Sequence, residues 1–302
     1  MRRSRRALGV AALSALTIAA CSSSRDDVGD RQVPDDVADT SAPDTSTPST
    51  TSTTISTLPP EPIWVDEFDG AAGSPVDGSR WAHDVGGTGW GNRQLEYSSP
   101  TNATLDGAGN LVIVARPVDV STSPSCWYGN CHFMSSRLTT AGIAAFTYGT
   151  FEMRAKFPAG EATWPAFWLL GTDMGEVGWP AAGEIDVVEH VGRDGNRISG
   201  TVHGPGYSGG NGIAATTDVD DVTAFHTYAV RWEPDRIIWS VDGDEYHRIE
   251  RSDVDDWVFD DDFHLILNLA VGGTLAGSPG PADYQDNALT VDYVKVWGRG
   301  VE

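Results

Sequence analysis

From residue 61 to residue 298 the apolar residues come in short runs, many alternating with polar neighbours, and clusters of Gly, Pro, Asn and Asp separate the runs. Alternation with a period of two puts every second side chain on one face of a strand, and the intervening turn residues mark chain reversals. The pattern predicts strands at 64–68, 111–115, 150–156, 163–170, 184–190, 199–203, 226–232, 236–241, 263–270 and 289–297. No stripe with helical spacing interrupts them. Asp242-Gly243 carries a type I′ hairpin signal directly after one of these runs. Many short strands at this spacing predict an all-β domain, a two-sheet antiparallel β-sandwich. A length of roughly 240 residues suits one such domain.

One run departs from simple alternation. Residues 183–190 read GEIDVVEH and carry three carboxylates, Glu184, Asp186 and Glu189, among Ile185, Val187 and Val188. On a regular strand Glu184 and Asp186 share a face while Glu189 points the other way. A β-bulge, one extra residue at Val187 or Val188, would return Glu189 to the face of the other two. Three acids in a row can be a cation site, a solvated edge or a catalytic pair with a helper. A solvated edge fits poorly, because clustered charge rarely stands unpaired in so apolar a setting. Two carboxylates facing a sugar across roughly 5 Å are what double-displacement glycoside hydrolysis requires.

The run resembles the signature of glycoside hydrolase family 16 in the bulged form carried by laminarinases, the endo-β-1,3-glucanases. The resemblance extends to WGNRQLEY at 90–97, SSRLTT at 135–140, YGTFEMRAKFP at 148–158, WPAFWLL at 164–170 and LNLAVGG at 267–273, all in the family's order. It implies a concanavalin A-like jelly roll with a concave substrate cleft. It also implies a retaining endo-acting hydrolase of laminarin-like β-1,3-glucan, with Glu184 as nucleophile, Asp186 orienting it and Glu189 as acid/base. The physical logic is compatible: charge on Glu184 and Asp186 disfavours ionisation of Glu189 and keeps it a proton donor. Other specificities of the family (mixed-linkage β-1,3-1,4-glucan, agarose, carrageenan) and a non-catalytic β-glucan-binding sandwich remain as alternatives. The intact acids count against the last.

Eleven tryptophans are too many for all to bind sugar, and core packing accounts for Trp232, Trp239 and Trp297. Trp164, Trp168 and Trp179 are expected to be sugar platforms, with Asn92, Arg137 and His203 as polar contacts at positions the family associates with its cleft. Two departures from the family pattern stand out: Gln94 and Glu96 reverse the usual order of acid and amide, and Thr274-Leu275 replaces a frequent Asn-Trp. The resemblance further implies a structural calcium held by oxygens of Glu67, Gly109 and Asp292, and no cofactor for catalysis.

Composition changes the picture at the N-terminus. Four arginines within the first six residues, an apolar run at 8–20 and Cys21 make an export signal too short to span a bilayer. Its exit resembles a bacterial lipobox, which implies a signal peptide at 1–21 and lipidation of Cys21; an ordinary signal peptide is the alternative. Residues 22–60 are Ser, Thr, Asp and Pro with scarcely a large apolar side chain, a disordered tether ahead of the catalytic domain at 61–298. The protein is therefore expected outside the cell, as a surface lipoprotein or secreted, touching membrane only through the anchor and acting as a monomer. Setting Cys21 aside leaves Cys126 and Cys131, expected to form a disulfide in an oxidising compartment, with a zinc site beside His132 as the lesser alternative. A net charge of −23 argues against nucleic acid and towards a neutral polysaccharide.

Overall fold

A computed structural model describes residues 61–298 of the chain. The export signal, Cys21 and the tether at 22–60 lie outside the described residues. Two sheets face each other across one core. Seven strands form the sheet that carries the acids, in the order Ile213–Asp218, Arg197–His203, Glu184–His190, Thr163–Gly171, Phe263–Val271, Arg137–Thr139, Ala82–His83. The opposing sheet has ten strands, with Gly149–Lys156 and Asn287–Trp297 paired at its centre. Pairing is antiparallel throughout except between Glu96–Ser98 and Phe133–Ser135.

The burial pattern explains why alternation reveals some strands and hides others. Gly149–Lys156 alternates strictly between buried and half-buried positions, since one face meets the core and the other is wetted. Thr163–Gly171 and Phe263–Val271 are buried on nearly every residue, so they read as continuous apolar runs. Ile213–Asp218 (IAATTD) alternates only weakly in hydrophobicity, and the pattern does not announce it. The turn signal at Asp242-Gly243 corresponds to positive φ at both residues, 52° and 88°, and links Arg236–Val241 to Asp244–Glu250.

Inside, Phe157 is stacked between His190 and Tyr228, with ring centroids 5.5 and 4.9 Å away. His190 belongs to the strand of acids, and this stack fixes its far end against the opposite sheet. Truncation of such a buried ring typically costs about 3–5 kcal/mol. At one rim a disulfide joins Cys126 and Cys131 and closes a small hairpin. From that hairpin the Trp127 indole N–H donates to the Gln94 carbonyl and the Tyr128 hydroxyl to that of Leu95, which fastens the loop ahead of Glu96.

Candidate functional site

Glu184–His190 contains the extra residue. Against Thr163–Gly171 the pairing steps from Trp168↔Asp186 to Phe167↔Val188 and omits Val187. Against Arg197–His203 it runs Asp186↔Thr201 and then Glu189↔Ser199, three residues opposite two. Val187 and Val188 both enter the core, and Glu184, Asp186 and Glu189 fall on the other face. Gly183 opens the strand at φ 76°, and a Cβ there would meet the Phe263 ring at 2.8 Å; glycine lets the chain turn into the strand against that ring.

Indole and imidazole groups surround the acids. Trp179 donates its N–H to Glu184 Oε2 at 2.9 Å, and Trp164 donates to Glu189 Oε1 at 2.9 Å. His203 Nε2 stands 3.7 Å from Glu184 Oε1 and 3.3 Å from Asp186 Oδ2. Glu184 keeps 18 % of its side chain exposed and Asp186 only 4 %, so Glu184 is the one a ligand can reach more freely.

All three carboxyls are held above the ordinary carboxylate range, and burial is the leading cause in each. Burial, then the charge of Asp186, pushes Glu184 up to about 8, against the opposing pull of His203 and the Trp179 N–H. Asp186 is raised by burial and by Glu189; Glu189 is raised by burial and pulled back by the Trp164 N–H and His203. Like charge was the sequence-based reason for a protonated Glu189, whereas desolvation comes first in the structure. Acids this close share their protons, so the titration belongs to the cluster rather than to one residue.

The remaining residues expected at the site differ in exposure and in their partners. Trp179 is 43 % exposed and free to stack on a ring, and His203 lies beside it at 5.8 Å between ring centroids. Arg137 is sandwiched between the Trp90 and Trp168 rings, 5.0 and 4.8 Å from their centroids, while its Nε–H donates to Asp84. Asn92 is exposed on the neighbouring loop and accepts from the Thr274 N–H and hydroxyl. Trp164 is 6 % exposed, packed with Val191, Ala270 and Ala276, and its indole N–H donates to Glu189, so little of its ring is open beside the acids. Trp168 likewise donates, to Asn268 Oδ1 at 2.8 Å. Asn268 was missed, although it sits inside LNLAVGG; a single polar residue in an apolar strand was the available signal.

The calcium expected at Glu67, Gly109 and Asp292 would meet two ion pairs, Glu67 with Lys295 at 2.9 Å and Asp292 with Arg154 at 2.5 Å, so binding there would require both cations to yield their carboxylates. Among the described residues the close group of acid and imidazole ligands is Glu184, Asp186 and His203, whose nearest atoms lie within 4.8 Å of one another. A cation there would occupy the very carboxylates that face the site.

Glu96, the other departure from the family pattern, is buried beneath this region and accepts from the Val271 N–H at 2.8 Å. Burial pushes it up to about 8 from an ordinary 4.5. The unfolded chain therefore loses this proton at lower pH than the folded chain, and stability falls as pH rises from about 4.5 towards 8. Glu96→Gln keeps the acceptor oxygen and removes the titration. Its melting temperature should gain on wild type at pH 8 and match it near pH 4.5; a constant difference across that range would contradict the account.

The sequence matches the family model for glycosyl hydrolases family 16 over residues 90–295. A β-glucanase of Rhodothermus marinus is 40 % identical over 80 % of this chain and 86 % of its own length. Among solved structures, the endo-β-1,3-glucanase of Pyrococcus furiosus superposes with a TM-score of 0.73 at 42 % identity, covering 78 % of this chain and 94 % of that one. The catalytic domain of a Thermotoga petrophila laminarinase gives 0.74 at 38 % identity, covering 80 % and 98 %.

Proposed function

The chain belongs to glycosyl hydrolases family 16 and is a glycoside hydrolase, and on that premise we propose that it cleaves internal β-1,3 linkages of a neutral, laminarin-like glucan with retention of configuration. The observation that carries the reading is the bulge, which sets Glu189 on the face of Glu184 and Asp186. In the productive protonation state Glu184 is ionised, facing the Trp179 N–H and His203, and the proton sits on Glu189. Glu184 attacks the anomeric carbon while Glu189 protonates the departing glycosidic oxygen. The glycosyl-enzyme ester is then hydrolysed by a water that Glu189, now a base, deprotonates. Asp186 holds Glu184 in place, and its burial beside it keeps the cluster from losing all its protons near neutrality.

Reducing-sugar release should be fastest on laminarin, slower on mixed-linkage glucan and absent on agarose and carrageenan. Activity on agarose with none on laminarin would sink the assignment. Proton NMR of the nascent reducing end should show the β-anomer first, and an α-anomer appearing first would mean inversion.

The export signal adds a location to this reading. The lipobox-like exit supports attachment through Cys21, with 22–60 as a tether between membrane and enzyme. Cys21→Ser should release active enzyme into the medium; unchanged membrane fractionation would contradict the anchor.

A further inference from the structure

Trp239 sits in the ten-stranded sheet, in Arg236–Val241, yet its indole N–H reaches across the core and donates to the main-chain carbonyl of Asp186 at 2.8 Å. The bulge explains why that carbonyl needs a partner. Pairing with Arg197–His203 holds at Asp186↔Thr201 and resumes at Glu189↔Ser199, so the two valines face Gly200 with the ladder interrupted between them. A buried carbonyl beside such a gap must be satisfied from elsewhere.

Gly200 is the other half of the arrangement. A Cβ at that position would lie 2.3 Å from Trp239 Cδ1 and 2.7 Å from Nε1, so a side chain there would drive the indole off the carbonyl. Trp239 itself is fully buried and stacked on His247 with centroids 4.6 Å apart, which fixes the ring plane.

We propose that Trp239 is a positioning residue for the reaction: its indole, admitted by Gly200, latches the start of the bulge at Asp186 and thereby holds Glu189 in register with Glu184. The proposal rests on the catalytic assignment of those acids made above. The latch adds to what burial of Val187 and Val188 fixes, because a bulge that migrated past Glu189 would turn Val188 out of the core and Glu189 into it. Trp239 touches no reacting atom and acts only through the backbone.

The test uses Trp239→Phe together with an isosteric replacement by 3-benzothienylalanine, which keeps the fused ring and lacks the N–H. Both should lower kcat on laminarin by roughly 10- to 100-fold, the scale of a small misplacement of a catalytic group, with KM within about twofold of wild type. Hydrogen exchange of the amides at 187–189 should accelerate in both. Trp81→Phe is the control: Trp81 is equally buried and donates to Asp66 Oδ2 at 2.9 Å, four strands away from the acids across the sheet. It should cost stability and leave kcat within about twofold. The latch is wrong if both position-239 variants retain wild-type kcat, or if Trp81→Phe lowers kcat as much as they do. A wild-type enzyme inactive on every glucan would overturn the function instead, and the exchange measurement would still decide the latch.

Discussion

In the Glu184→Ala variant, hydrolysis of laminarin is expected to fall by roughly 10⁵-fold, and added azide to restore turnover with an α-glucosyl azide as product. Alanine removes the nucleophile and leaves space on the cleft floor for a small anion. Glu189 remains, held by the Trp164 N–H, so it can still protonate the leaving oxygen while azide attacks from the face Glu184 had occupied. The complementary variant, Glu189→Ala, should lose about 10²- to 10⁴-fold on laminarin and much less on an aryl glucoside whose leaving group needs no proton. Azide there intercepts the ester on Glu184 and yields the β-azide. Product anomers assigned the other way round would exchange the roles of the two glutamates.

Deleting Val187 and Val188 together should abolish measurable glucan hydrolysis, whereas deleting Val187 alone should not. Val187 is the residue omitted from the pairing with Thr163–Gly171, so its removal leaves Ile185 and Val188 on the core face and Glu184, Asp186 and Glu189 alternating with them on the other. Removal of both valines places Glu189 directly after Asp186 and turns it inward among the core side chains. Glu184 and Asp186 stay where they are, with Trp179 and His203 beside them. The expected loss in the double deletion is at least the roughly 10²- to 10⁴-fold that general acid catalysis supplies. Burial of Glu189 without its Trp164 donor adds a destabilisation that should lessen as pH falls and the carboxyl takes up its proton. A double-deletion variant that retained even a tenth of the activity would show that the alternation of this strand does not set the position of the acid.

The chemistry of the site was legible because it is concentrated in one unusual run. Three acids among branched apolar residues, at a spacing that fails the period of a strand by one, already require a bulge. Exposure was less legible. Trp164, Trp168 and Trp179 are alike in sequence, and only the fold shows that Trp164 is sealed by Val191, Ala270 and Ala276 while Trp179 remains open. The partners of Glu67 and Asp292 were hidden for a similar reason: Lys295 and Arg154 are ordinary alternating residues on the outer face of two central strands, and pairing across strands decides which carboxylate each one meets. Trp239 could be assigned to the core from its strand, yet the target of its N–H lies in another sheet, more than fifty positions back along the chain.

The bond from Trp179 to Glu184 gives the enzyme an optical reporter of its own chemistry. Indole emission responds to the charge near the ring nitrogen, and formation of a glycosyl ester turns a carboxylate acceptor into a neutral one at 2.9 Å. Trp179 and Trp127 are exposed alike, 43 % and 42 %, while Trp81, Trp232 and Trp239 are buried, so in a Trp127→Phe background quenchers in solution favour Trp179. Stopped-flow fluorescence can therefore follow the accumulation and decay of the intermediate on the natural polymer, with no chromogenic leaving group to alter which step is slow.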